Sequence, residues 1–264
     1  MNSFRRIFLH AVVLCSLLPL SGKASDAWVD REVVGRFEVR SEVPVRQSPV
    51  LREFVRSLPS LESDITSTLG LQANQKPIAI NVFQTRLNYQ SFIARRAPEG
   101  QGRRALYVQS ETHGSVYVYL HADVMTDLCH ETTHAILHSS LAFVPLWLDE
   151  GLAEYFEIPR KRRESDNPHL SRTRLDARLI VTWRPSLVRL EAIPDQSGMS
   201  LRSYRESWAW VHFLLHGPDE AVAVLPRYLS GIESHDPPDP LSVQLRLLWP
   251  DPERQLTSHF RSWK

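Results

Sequence analysis

The sequence predicts an α+β protein, with a small sheet and one or two helices in the first half and a mostly helical second half. Three observations predict it. Between residues 25 and 122, the runs PIAINVF, ALYVQS and SVYVYLH are rich in β-branched and aromatic residues and are bounded by turn signals. From Asp123 onward, segments punctuated by Pro and Gly carry apolar residues at helical spacing and show no strand pattern. With a leader of 24 residues set aside, about 240 of the 264 remain, enough for one sizeable core or two small subdomains. There is no internal repeat and no long low-complexity tract.

The chain opens with MNSFRR, which carries two arginines, followed by the apolar run IFLHAVVLCSLLPL and the small residues of SGKAS. This order reads as a secretory signal peptide over residues 1–24, removed near Ala24, and it predicts a secreted or periplasmic protein. The rival reading is an uncleaved anchor; once the leader is removed, no stable membrane insertion is expected. GRFEVRSEVPV is a short strand-like stretch. From Val50 to Leu69, the positions of Leu51, Phe54, Val55, Leu58, Leu61 and Ile65 follow a helical period, with Pro59 placed to kink or divide the helix. PIAINVF reads as a buried strand, and ALYVQS, ETHG and SVYVYLH together read as a hairpin.

The second half divides into helical patterns over Asp123–Ser139, Pro145–Phe156, Tyr204–His216 and Glu220–Leu229, with a last helix after Pro252. Between them, RKRRESDNPHLSRTR at 160–174 reads as a solvated loop, its alternative being an anion site, and HDPPDP at 235–240 as a turn or linker. The whole is taken as one domain over 25–264, with a sheet-containing part to residue 122 and a helical part from 123.

Charge and cysteine content exclude several classes. The chain has 31 basic and 30 acidic residues, and the leader takes away Arg5, Arg6 and Lys23 but no acid, so the remainder is close to neutral. Such a balance gives no electrostatic reason to expect nucleic acid as a partner. Of the two cysteines, Cys15 lies in the leader, leaving Cys129 and no possibility of an intramolecular disulfide. Stability must come from packing or from a metal.

The stretch LCHETTHAILH carries the chemistry. On a helix, His130 and His134 stand at i and i+4 on one face, about 6 Å apart along the axis, so both imidazoles can reach one ion. Glu131 is rotated about 100° from His130 and flanks the ion instead of binding it, where a general base for water belongs. His138 lies on the order of 12 Å from His130 along the helix, too far to share its metal, and reads as a cap or an ordinary partly buried histidine. Cys129 points away and reads as a small buried residue. Two histidines do not complete a tetrahedral site. VPLWLDEGLAEYFE can supply a third ligand, since a second helix packed antiparallel would bring Glu150 opposite the histidines. Glu154 and Asp127 are each either an acceptor for a ligand imidazole or a structural acid.

HETTH followed by WLDEGLAEY resembles the HExxH plus WLxEG signature of gluzincin metallopeptidases, and its short gap resembles the peptidase MA-like families of secreted bacterial proteins. The resemblance covers Asp123 to Glu157 and extends to SYRESWAWVHFLLHG. It implies a zincin-like fold, Zn2+ held by His130, His134 and Glu150, and Glu131 as general base. Only 15 residues separate His134 from Glu150 and there is no GxMEN-type segment, so aminopeptidase specificity is not implied. In related gluzincins a tyrosine on a later helix stabilises the oxyanion; Tyr204 in YRESWAWV resembles it, with Ser207 where glycine is common. Zincin substrates lie along an edge strand before the metal helix, the place in the order held by SVYVYLH.

The functional expectation is an exported zinc metallopeptidase that acts on a peptide or protein substrate by water attack. The alternative is an idle zinc-binding protein of the same fold that binds peptides or envelope components. A third reading, on the same residues, is a zinc hydrolase acting on a different acyl bond.

Overall fold

The computed structural model describes residues 12–14, 28–72, 74–110, 113–163, 165–179, 183–234 and 238–263. Apart from Val12–Leu14, the expected leader lies outside the described residues, as do residues 235–237 of the expected linker. The chain is mixed α and β and divides into two compact units. The first is the described part of Met1–Asp64 with Asn74–Ser139, and the second is that of Ile65–Ala73 with Ser140–Lys264.

The first unit is built on a sheet in the order β1-β5-β6-β4-β3-β2, of which β1 comes from the expected leader and the other five strands from the rest of the chain. The strands are β1 (Val12–Leu14), β2 (Asp30–Val34), β3 (Phe37–Ser41), β4 (Ile78–Phe83), β5 (Ala105–Gln109) and β6 (Gly114–Tyr119). β2 and β3 form a hairpin across Gly35 and Arg36, with Gly35 at φ 59°, the left-handed conformation a two-residue turn requires. β3, β4 and β6 run parallel, β5 is antiparallel to β6, and β1 lies parallel to β5. Every residue of β4 is buried, as a strand covered on both faces must be.

The expected hairpin of ALYVQS and SVYVYLH is present as β5 and β6. Its second strand is interior, paired on one side by β5 and on the other by β4, so SVYVYLH is not the edge along which a peptide could add. Strand order along the chain could not show this, because β6 inserts beside β4 while β5 stays outside it.

Side chains alternate between the two faces of the sheet. One face gives Phe83, Leu106 and Val108 to a core with Tyr89 and Ile93 of helix α2 (Arg86–Arg96). On the opposite face Tyr107 stacks on His134 and His138 of α3 (Val124–Ser140). Helix α1 (Pro49–Leu69) connects β3 to β4 and buries Leu51, Phe54, Leu58 and Ile65. Pro59 was expected to kink or divide it, and the helix is not divided there. The buried stripe on both sides of Pro59 outweighs the single backbone donor that proline lacks.

The second unit holds α4 (Leu146–Phe156), α5 (Leu170–Arg178), α6 (Leu187–Glu191), α7 (Leu201–His216), α8 (Asp219–Glu233), α9 (Leu241–Leu248) and α10 (Pro252–Ser262). α4 lies on α7 at very short range: a Cβ added to Gly151 would stand 2.6 Å from the backbone oxygen of Ser207. In the RKRRESDNPHLSRTR segment, expected to be a solvated loop, Arg160, Lys161 and Arg162 are exposed. Its end enters α5, and Arg163 is buried with its guanidinium 5.0 Å from the Tyr155 ring and 4.6 Å from the Phe156 ring. Among the described residues, no helix is long and apolar enough to cross a membrane.

Candidate metal centre

His130 and His134 stand one turn apart on α3, and their ring centroids are 4.9 Å apart. Each offers one nitrogen, and Glu150 of α4 offers one carboxylate oxygen, such that all three atoms lie within 4.8 Å of one another. His130, His134 and Glu150 are all 0% exposed, as is Glu131. This cluster could hold a metal ion. Two imidazole nitrogens and one carboxylate oxygen are donors that a divalent ion such as zinc accepts, whereas a softer ion would call for thiolates and a harder one for oxygens alone.

The surroundings of the ligands follow from local sequence. Tyr107 faces His134 with ring centroids 6.4 Å apart and planes 20° from parallel. Its ring lies close to Gly114, where an added Cβ would stand 3.0 Å from Tyr107 Cε2. The Tyr107 hydroxyl bonds to Gln109 two residues along the same strand. Glu150 Oε1 accepts a hydrogen bond of 2.6 Å from Gln196 Nε2. Tyr89 is buried in the sheet unit, and its phenol is pushed above the ordinary range by burial and then by the charge of Glu131.

Other residues singled out in the sequence take different places. Asp127 is fully buried but pairs with Arg104 at 2.7 Å and His121 at 2.9 Å, joining the start of α3 to the approach to β5. Glu154 pairs with His169 at 3.1 Å, and its carbonyl accepts from Asn167 at 3.0 Å. Its imidazole partner is thus one outside the metal cluster. His138 is half-buried near the end of α3, stacked on Tyr107 and outside the ligand group. Cys129 is half-exposed, not the buried residue expected. Tyr204 is buried in the first turn of α7, three residues before the Ser207 backbone that meets Gly151.

Sequence reading missed Tyr107, Gly114, Tyr89 and Gln196. None belongs to a motif, and only Gly114, a glycine opening a strand, carried a signal of close approach. No family model matches the chain, and no curated protein matches it.

Proposed function

We propose that the chain is an exported zinc-dependent metallopeptidase of gluzincin type that hydrolyses peptide bonds. The observation that carries this reading is the convergence of His130, His134 and Glu150, with Glu131 buried next to the first of them. Zinc held there supplies Lewis acidity toward a carbonyl and toward water. Glu131 takes a proton from the attacking water as its oxygen bonds to the carbonyl carbon, and returns it to the leaving amine as the C–N bond breaks. Tyr204 donates a hydrogen bond to the oxygen that gains negative charge. Its place one turn from the crossing of α7 with Gly151, the neighbour of Glu150, supports that role. The N-terminal sequence, with its arginines, apolar run and small residues, supports export.

The complete burial of the ligands and of Glu131 favours a second reading, a zinc-binding protein of this fold that holds its metal without turnover. One experiment separates the two. Metal analysis of the full chain expressed with its own leader should give one zinc per chain. An unbiased peptide library should be cleaved, cleavage should stop on chelation and return with zinc, and Glu131→Gln should retain zinc while losing about 10² to 10⁴ in rate. Zinc without cleavage would establish the idle protein, and no zinc would sink both readings.

A further inference from the structure

Gln196 belongs to no motif, yet its side chain reaches the metal cluster. Its Nε2 donates to Glu150 Oε1 at 2.6 Å. An ionised carboxylate only accepts, so the amide must turn its NH2 toward Glu150 and its oxygen away. That Gln196 Oε1 is buried and takes no hydrogen bond from any described residue. A buried amide oxygen without a donor costs stability, so a residue kept only to fill space would do better with an apolar end. The half-satisfied amide is explained by what its other end does to Glu150.

The loop that carries Gln196 is fixed on both sides of it. Residues Gln196–Gly198 make a single 3-10 turn between α6 and α7. Asp195 Oδ1 accepts from Ser197 N at 2.8 Å and from Ser197 Oγ at 2.5 Å. Gly198 N donates to Asp195 O at 3.1 Å, and Met199 N to Gln196 O at 3.0 Å. The Gln196 side chain therefore starts from a backbone that local bonds hold, as a group that orients another must.

We propose that Gln196 is a positioning residue of the metal centre, which by holding one carboxylate oxygen of Glu150 selects the other as the metal ligand. A carboxylate left to rotate can offer one oxygen or both, whereas one tied to an amide offers a single, directed donor. The inference rests on the metal-centre reading and concerns metal binding, not turnover.

The test uses zinc and cobalt(II) ions with the full chain and two variants. Gln196→Met keeps the length of the side chain and removes the donor. Its zinc affinity, measured by competition with a chelating dye, should fall about 10- to 100-fold, the cost of losing a partner to a metal ligand. The visible absorption of bound cobalt(II) should change with it. Gln196→Ala opens space in which water can donate to Glu150, so it should also bind more weakly than wild type but lose less than the Met variant. A mere packing role gives the reverse order, with Met near wild type and Ala impaired. Wild-type affinity and an unchanged cobalt spectrum in the Met variant would overturn the proposal. If circular dichroism shows that Met prevents folding, Gln196→Leu, which also fills space without a donor, takes its place: weaker affinity with an altered cobalt spectrum supports the role, and wild-type values overturn it. A wild-type chain that binds neither ion removes the metal-centre reading and this inference together.

Discussion

Tyr204 is the residue on which the difference between an enzyme and an idle zinc protein turns. A metal with three protein ligands can bind a peptide carbonyl in either case, but turnover needs stabilisation of charge that appears only in the transition state. A phenol aimed at that oxygen contributes roughly 2.7 to 4 kcal/mol by analogy with other oxyanion donors, or about 10² to 10³ in rate. Tyr204→Phe should therefore lower kcat by that factor, with zinc content kept and KM little changed. A Phe variant of normal rate would make Tyr204 a packing residue at the start of α7. The sequence showed the residues of the candidate cluster better than their surroundings. His130, Glu131 and His134 could be read because they are fixed by the period of one helix. Glu150 stands on a different helix, and the resemblance of WLDEG to the WLxEG signature was needed to single it out. Gln196 and Tyr107 could not be read: one depends on the path of a short loop, the other on which face β5 presents to α3.

At the scale of the element, the crossing of α4 and α7 decides where Glu150 stands. Replacing Gly151 with Ala would normally favour a helix by about 1 kcal/mol. Here the new Cβ would lie 2.6 Å from Ser207 O and 2.8 Å from Ser207 C, backbone atoms that have no rotamer to change. Separating the two helices costs roughly 1 to 3 kcal/mol, so the clash outweighs the gain. Gly151→Ala should lower the thermal midpoint by several degrees and weaken zinc binding, because the displaced backbone belongs to the neighbour of a ligand. A midpoint at or above wild type would show that the crossing relaxes freely. Helices with a strong apolar period were legible, α1, α3, α4 and α7 among them, and so was the buried strand β4. What was missed has weak patterning. β2 exposes alternate residues at the sheet edge, and α5 hides its few buried positions among arginines.

At the scale of the whole molecule, near-neutral charge leaves stability against pH to a few buried titrating groups, and a histidine cluster in the helical unit is the plainest of them. His212 Nδ1 and His259 Nε2 are 3.0 Å apart, and His216 Nε2 is 2.7 Å from the Tyr155 hydroxyl. Trp263 packs against all three histidines, joining α7 to the end of α10. Burial, and then the proximity of His216, push the His259 imidazole down from 6.5 to about 4. The sign follows from linkage: the unfolded chain binds the proton more tightly, so this contribution is complete above pH 6.5 and is lost as pH falls toward 4. The full difference corresponds to at most about 3 kcal/mol, which partial exposure of the ring reduces to roughly 2. His259→Gln keeps a group able to bond to His212 but removes the titration. Thermal unfolding from pH 7.5 to 4 should show wild type losing stability more steeply than the variant, the two curves diverging below about pH 6.5 and running parallel again near 4. Curves that stay parallel throughout would mean that His259 binds its proton equally well in the folded and unfolded chain.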